Sequence, residues 1–236
     1  MKAMKVAGVI GFILALAVLG AFIYSLTQSS STPTVTQGST LSKVSPDLLQ
    51  SGGILALFII VIIASEFFAY GFLRMGREAG SRFLPFAARW QMILIIALVV
   101  LVLIFGLMFF LSEDNPSSSI AVLLYFFLIT SFLYSFAVIV SIVASVGLVE
   151  ISQKVRFAKS TGIFLGITLG LSLFTLIFSQ LSLAFMIIAA FGGGGSALST
   201  LPYILKTISV LTNLAAITYL ILGSLALFDA SRKFEK

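Results

Sequence analysis

The chain has 236 residues, of which 60% are hydrophobic and only 9% charged, with 14 Lys and Arg against 8 Asp and Glu. A water-soluble domain carries roughly one-quarter charged residues, so an ordinary soluble fold is excluded and the membrane becomes the solvent. Cys and His are both absent, which removes thiolate and imidazole ligands, cysteine nucleophiles, disulfides and histidine acid/base catalysis.

The first apolar block runs from Val6 to Leu26 behind Lys2 and Lys5. It exceeds the 7–15 residues of a signal-peptide core, and Val18-Leu19-Gly20 before Ala21 is a mediocre cleavage site, so the block reads as a first span. A Ser/Thr-rich stretch over 27–53, broken by Pro33 and Pro46, reads as an exposed loop. Ile54 to Leu73 is a second span, long enough for the ~20 helical residues that cross a ~30 Å hydrocarbon core. After it, charges and aromatics alternate through 75–90, a pattern expected of a short interfacial helix interrupted at Pro85. Gln91 to Leu111 is the third span, closed by the turn signal Ser112-Glu113-Asp114-Asn115-Pro116.

The fourth and fifth blocks, 120–149 and 161–191, are long enough to reach roughly 45 Å as helix, so they must tilt or project. A basic connection with Lys154, Arg156 and Lys159 joins them. Gly192 to Gly195 break the chain again, and Pro202 introduces the sixth block, 203–228, followed by a short basic tail. The expected fold class is all-α: a polytopic bundle of six transmembrane helices forming one transmembrane domain.

Alternating spans would place Lys2, Lys5, Arg74, Arg77, Arg82, Arg89, Lys154, Arg156, Lys159, Arg232, Lys233 and Lys236 on one side and only Lys43 and Lys206 on the other. This positive-inside bias predicts cytoplasmic N- and C-termini and a multi-pass protein of the cell membrane. Trp90, Tyr24, Tyr70 and Tyr203 fall near span ends, as expected of aromatic rings at headgroup level. The loop residues Arg74, Arg77, Arg82, Arg89, Lys154, Arg156 and Lys159 are candidate contacts for anionic lipid heads, although setting topology alone would also account for them. Read by position, the net positive charge implies no nucleic-acid partner.

Helices in lipid associate through close packing and hydrogen bonds, which favours small residues at contacts. Ala158, Gly162, Gly166 and Gly170 recur every four residues and predict a close-contact face, so Gly166→Leu is expected to separate the helices there. Ala3, Ala7, Gly11 and Ala15, and Ala137, Ser141 and Ser145, repeat the pattern. Such faces serve packing within the chain, self-association or docking against other integral membrane subunits.

Glu66 is the only acid deep within an apolar block. An ionised carboxylate there is costly, so it must be protonated, paired or beside a wet cavity. Arg74 is ~12 Å away along a straight helix, which leaves Gln180 and Asn213 as candidate intramembrane partners. A proton- or cation-linked site and a neutral Glu bonded to another helix both fit these residues. The tetraglycine run lacks the Lys-Ser/Thr of a phosphate loop, and the chain has no Gly-x-Ser-x-Gly elbow. Neither a catalytic constellation, a metal site nor a cofactor is expected.

The six-span layout, Gly71 and Gly76 around the end of the second span, the compact basic connection, the Gly-rich fifth span and the lack of Cys and His resemble small uncharacterised archaeal multi-pass membrane protein families. This resemblance implies architecture and brings no site residues. Two functional expectations follow: a non-catalytic accessory or scaffold subunit of a membrane complex, or a small transporter or channel built on Glu66.

Overall fold

A computed structural model describes residues 3–28, 48–111, 116–190 and 201–234. Among them the structure is all-helical: α1 (Ala3–Gln28), α2 (Leu48–Ala79), α3 (Leu84–Leu111), α4 (Pro116–Glu150), α5 (Ala158–Ala190) and α6 (Leu201–Phe234), with a 3-10 turn at Ile151–Gln153. All six contain a segment long and apolar enough to cross a membrane, and the chain is a multi-pass membrane protein. The helices extend beyond the apolar blocks, α2 beginning at Leu48 and α6 running on to Phe234. Proline sits where a helix tolerates it: Pro116 and Pro202 open α4 and α6, where no intrahelical donor is required. Glu113, Asp114 and the tetraglycine run lie outside the described residues, as does most of the Ser/Thr-rich loop.

The 75–90 region is not a separate interfacial helix. It consists of the end of α2, a tight turn and the start of α3. Gly80 adopts φ +75, the left-handed conformation that glycine takes without a Cβ penalty. Ser81 N–H donates to Gly76 O (2.8 Å) and Gly80 N–H to Arg77 O (3.2 Å), the pair of bonds that closes a Schellman helix end. Pro85 interrupts nothing, because it precedes the first bond of α3, from Ala87 N–H to Phe83 O (3.0 Å).

Each helix packs on its sequence neighbours, and α6 closes back on α1 and touches α2. One end gathers the start of α1, the α2–α3 turn, the α4–α5 connection and the end of α6, and most of the chain's basic residues with them. Among the described residues, the largest fully buried side chains cluster near this basic end: Met4, Met75, Leu84, Leu148, Ile151, Val155, Thr161, Ser224 and Leu227. Glycine permits the close approaches. A Cβ on Gly71 would collide with Ala7, one on Gly11 with Phe68 and Ser224, and one on Gly147 with the Leu84 backbone.

The α1 stripe is a true contact face, with Ala7 and Ala15 buried. The α5 stripe divides instead. Ala158 is fully buried, and a Cβ on Gly162 would come within 2.9 Å of Ser145 O and 3.2 Å of Leu148 Cβ. At Gly166 it would meet only Ser145 Oγ at 3.8 Å, and at Gly170 nothing within 4 Å. The tight α4–α5 contact therefore ends at Gly162, about two turns before the spacing does.

Candidate functional site

At the basic end, the α4–α5 connection ties the other helix ends together. Glu150 closes α4, and its Oε2 accepts from Ser81 Oγ (2.7 Å) and Arg82 N–H (3.1 Å). Ser81 Oγ in turn accepts from Leu84 N–H (3.1 Å). A serine three residues ahead of that N–H is the usual N-cap arrangement, and a carboxylate beside it complements the positive end of the helix dipole. Four residues on, Lys154 Nζ donates to Ala79 O (2.7 Å), one of the carbonyls that the end of α2 leaves without an intrahelical partner. On the far side, Asp229 Oδ2 accepts from Arg156 N–H (2.7 Å) and Lys233 Nζ (2.9 Å), while Lys233 also donates to Lys154 O (2.9 Å). Both acids here and two of the lysines thus hold turns and helix ends in place.

Next to this network lies a crevice of about 400 Å³ lined by residues that include Phe12, Arg156, Phe157, Phe228, Asp229 and Arg232. Phe157 precedes α5 with φ 70, a backbone conformation rare for a bulky residue. Its carbonyl is held by Thr161 through both N–H and Oγ1, each at 2.8 Å, and the Arg156 guanidinium lies 5.1 Å over its ring.

Deeper in the bundle is a second space, of about 280 Å³, between α1, α2, α3, α4 and α6. Its walls are mostly apolar, with Ser65, Gln91 and Tyr219 as polar members. An adjoining space of about 270 Å³ shares Leu94, Ile95 and Ala137 with it and adds Thr130 and Tyr134. Phe68, Phe72 and Tyr219 form one wall, the two phenylalanines edge to face at 4.9 Å and Phe72 stacked with Tyr219 at 6.4 Å. Gly223 allows the rings to sit there, since its Cβ would lie 2.9 Å from Phe68 and 3.0 Å from Phe72.

Glu66 is half-buried on α2, one residue from Ser65, and its Oε1 is buried without a hydrogen-bond partner. Ser65 Oγ is turned to its own helix, donating to Val61 O (2.8 Å). Asn213 is half-buried on α6 and supplies no donor to Glu66 Oε1. Gln180 lies outside the residues whose side chains are described. The three intramembrane candidates are therefore not assembled into one bonded site among the described residues. Of the basic candidates, Lys154 is engaged at Ala79 O and Arg156 lines the crevice, while Arg74, Arg77, Arg82, Arg89 and Lys159 are exposed around the same end.

Several polar residues that shape these spaces escape a reading that follows charge. Gln91, Tyr134 and Tyr219 are uncharged, and Ser81 acts through Glu150, a partner distant in sequence. The Tyr134 hydroxyl is buried without a partner, like Glu66 Oε1. Its signal was a hydroxyl-bearing residue in the middle of an apolar block.

Comparison of the chain with protein-family models, with curated proteins and with solved structures finds no match.

Proposed function

We propose that the chain is a non-catalytic subunit, an accessory or scaffold component of a larger complex in the cell membrane, with its basic end toward the cytoplasm. The supporting observation is the open half of the α5 stripe. Gly166 and Gly170 continue the spacing of Ala158 and Gly162, yet among the described residues a Cβ at Gly166 would meet only Ser145 Oγ at 3.8 Å and one at Gly170 nothing within 4 Å. A flat glycine face gives lipid tails little to pack against but lets a second helix approach closely. The basic-end acids agree with this reading, since Glu150 and Asp229 are bound up in structural hydrogen bonds.

The test is mild detergent extraction of the tagged chain from its native membrane, followed by native mass spectrometry. A stoichiometric partner subunit is expected, and a homo-oligomer without one counts against the reading. The double variant Gly166→Leu with Gly170→Leu should release the partner while leaving the thermal midpoint of the isolated chain unchanged. A lone monomer, or an assembly indifferent to both leucines, would sink the reading.

A second reading, a small transporter or channel, is favoured by one observation: Glu66, whose Oε1 is buried without a partner among the described residues, is next in sequence to Ser65, which lines the space of about 280 Å³. Intramembrane acids commonly mark ion or proton paths.

A further inference from the structure

We propose that the crevice between the ends of α1 and α6 and the α4–α5 connection is a binding site for the phosphate headgroup of an anionic phospholipid. Three features of the crevice select that ligand. Arg156 and Arg232 both line it and are both exposed, and guanidinium forks match phosphate oxygens in geometry and charge.

Asp229 is the acid among the lining residues, and its Oδ2 already accepts from Lys233 Nζ and Arg156 N–H. Counting Lys233, the immediate surroundings carry three cations against one carboxylate. The remaining walls, Phe12, Phe157, Leu225 and Phe228, are apolar. Phe12 and Phe228 pack with ring centroids 6.0 Å apart, on helices that continue into the apolar part of the bundle. A soluble phosphate would use the arginines and leave these rings wet, whereas a phospholipid places its phosphate on the arginines and its glycerol and first methylenes on the rings. The left-handed Phe157 fixes the arrangement by carrying its ring beneath the Arg156 guanidinium.

This site is independent of any partner subunit and is tested on the purified full-length chain in neutral detergent. Dioleoylphosphatidylglycerol or dioleoylphosphatidylcholine is titrated in, and bound lipid is read by native mass spectrometry and by shift of the thermal midpoint. Phosphatidylglycerol should be retained in preference to phosphatidylcholine. Arg156→Gln and Arg232→Gln should each weaken its retention about fivefold, from ~1 kcal/mol per basic residue at an anionic surface, and the double variant more. Lys206→Gln, an exposed change at the opposite end of α6, should leave retention unaltered. Because both crevice arginines are exposed, the variants should fold, and Arg156→Lys, which keeps the charge, should recover part of the binding. Equal retention of the two lipids, or a double variant that binds as the parent does, overturns the proposal. So does competition by glycerol 1-phosphate at concentrations comparable to the lipid, which would assign the crevice to a soluble phosphate.

Discussion

Glu66 and Tyr134 each present a buried oxygen that meets no hydrogen-bond partner among the described residues. Leaving such a group unsatisfied costs about 1–3 kcal/mol, so neither oxygen contributes a stabilising hydrogen bond among the described residues. Glu66→Gln keeps the shape and removes the acid, which separates the two functional readings. With the purified chain in liposomes, the transporter reading expects proton or cation flux that Glu66→Gln abolishes while the thermal midpoint does not fall. The subunit reading expects no flux in either protein. Glu66 was legible in the sequence because a carboxylate inside an apolar block stands out. Tyr134, Gln91 and Tyr219 were not, since an uncharged polar side chain in a span is ordinary and its importance depends on which helix faces it.

Among the elements, α5 shows how far spacing can be trusted. A four-residue repeat of small residues marks a face without saying how much of that face the chain itself covers. The structure buries Ala158, commits Gly162 to α4 and leaves Gly166 and Gly170 open among the described residues. Gly162→Leu should therefore destabilise the isolated chain by about 1–3 kcal/mol, the usual cost of overpacking a tight contact. Gly166→Leu should leave it nearly unchanged in the same thermal melt, and equal losses at both positions would contradict the geometry. The six spans themselves were plain from the apolar blocks. The α2–α3 turn was misread because alternating charges and rings over 75–90 imitate an amphipathic helix. The stop and start signals were nonetheless present: Gly80 takes the left-handed position, and Ser81 stands three residues before the Leu84 N–H that it accepts.

For the whole molecule, the gathering of basic residues at one end yields a prediction about orientation. The chain contains no Cys, so single cysteines can be introduced without background. In intact cells, a membrane-impermeant maleimide should label Ser39→Cys in the first loop and leave Lys159→Cys unlabelled until the membrane is opened. The reverse pattern would invert the proposed topology. Sequence supplied this charge asymmetry but could not supply the ties beneath it. Glu150 reaches Ser81 across 69 positions, Lys154 reaches Ala79 across 75, and Arg156 reaches Asp229 across 73. Nothing local in the chain announces pairings at such separations.

Those long-range ties also bear on how the protein is made. Glu150 and Lys154 serve the α2–α3 turn, yet ribosomal synthesis delivers them only after α3 and α4 have been completed. Until then Ala79 O and Arg82 N–H in the α2–α3 turn lack these partners and are left to water. The turn gains its permanent partners only with the end of α4 and the connection behind it, so a chain cut before Glu150 would carry the turn without its ties.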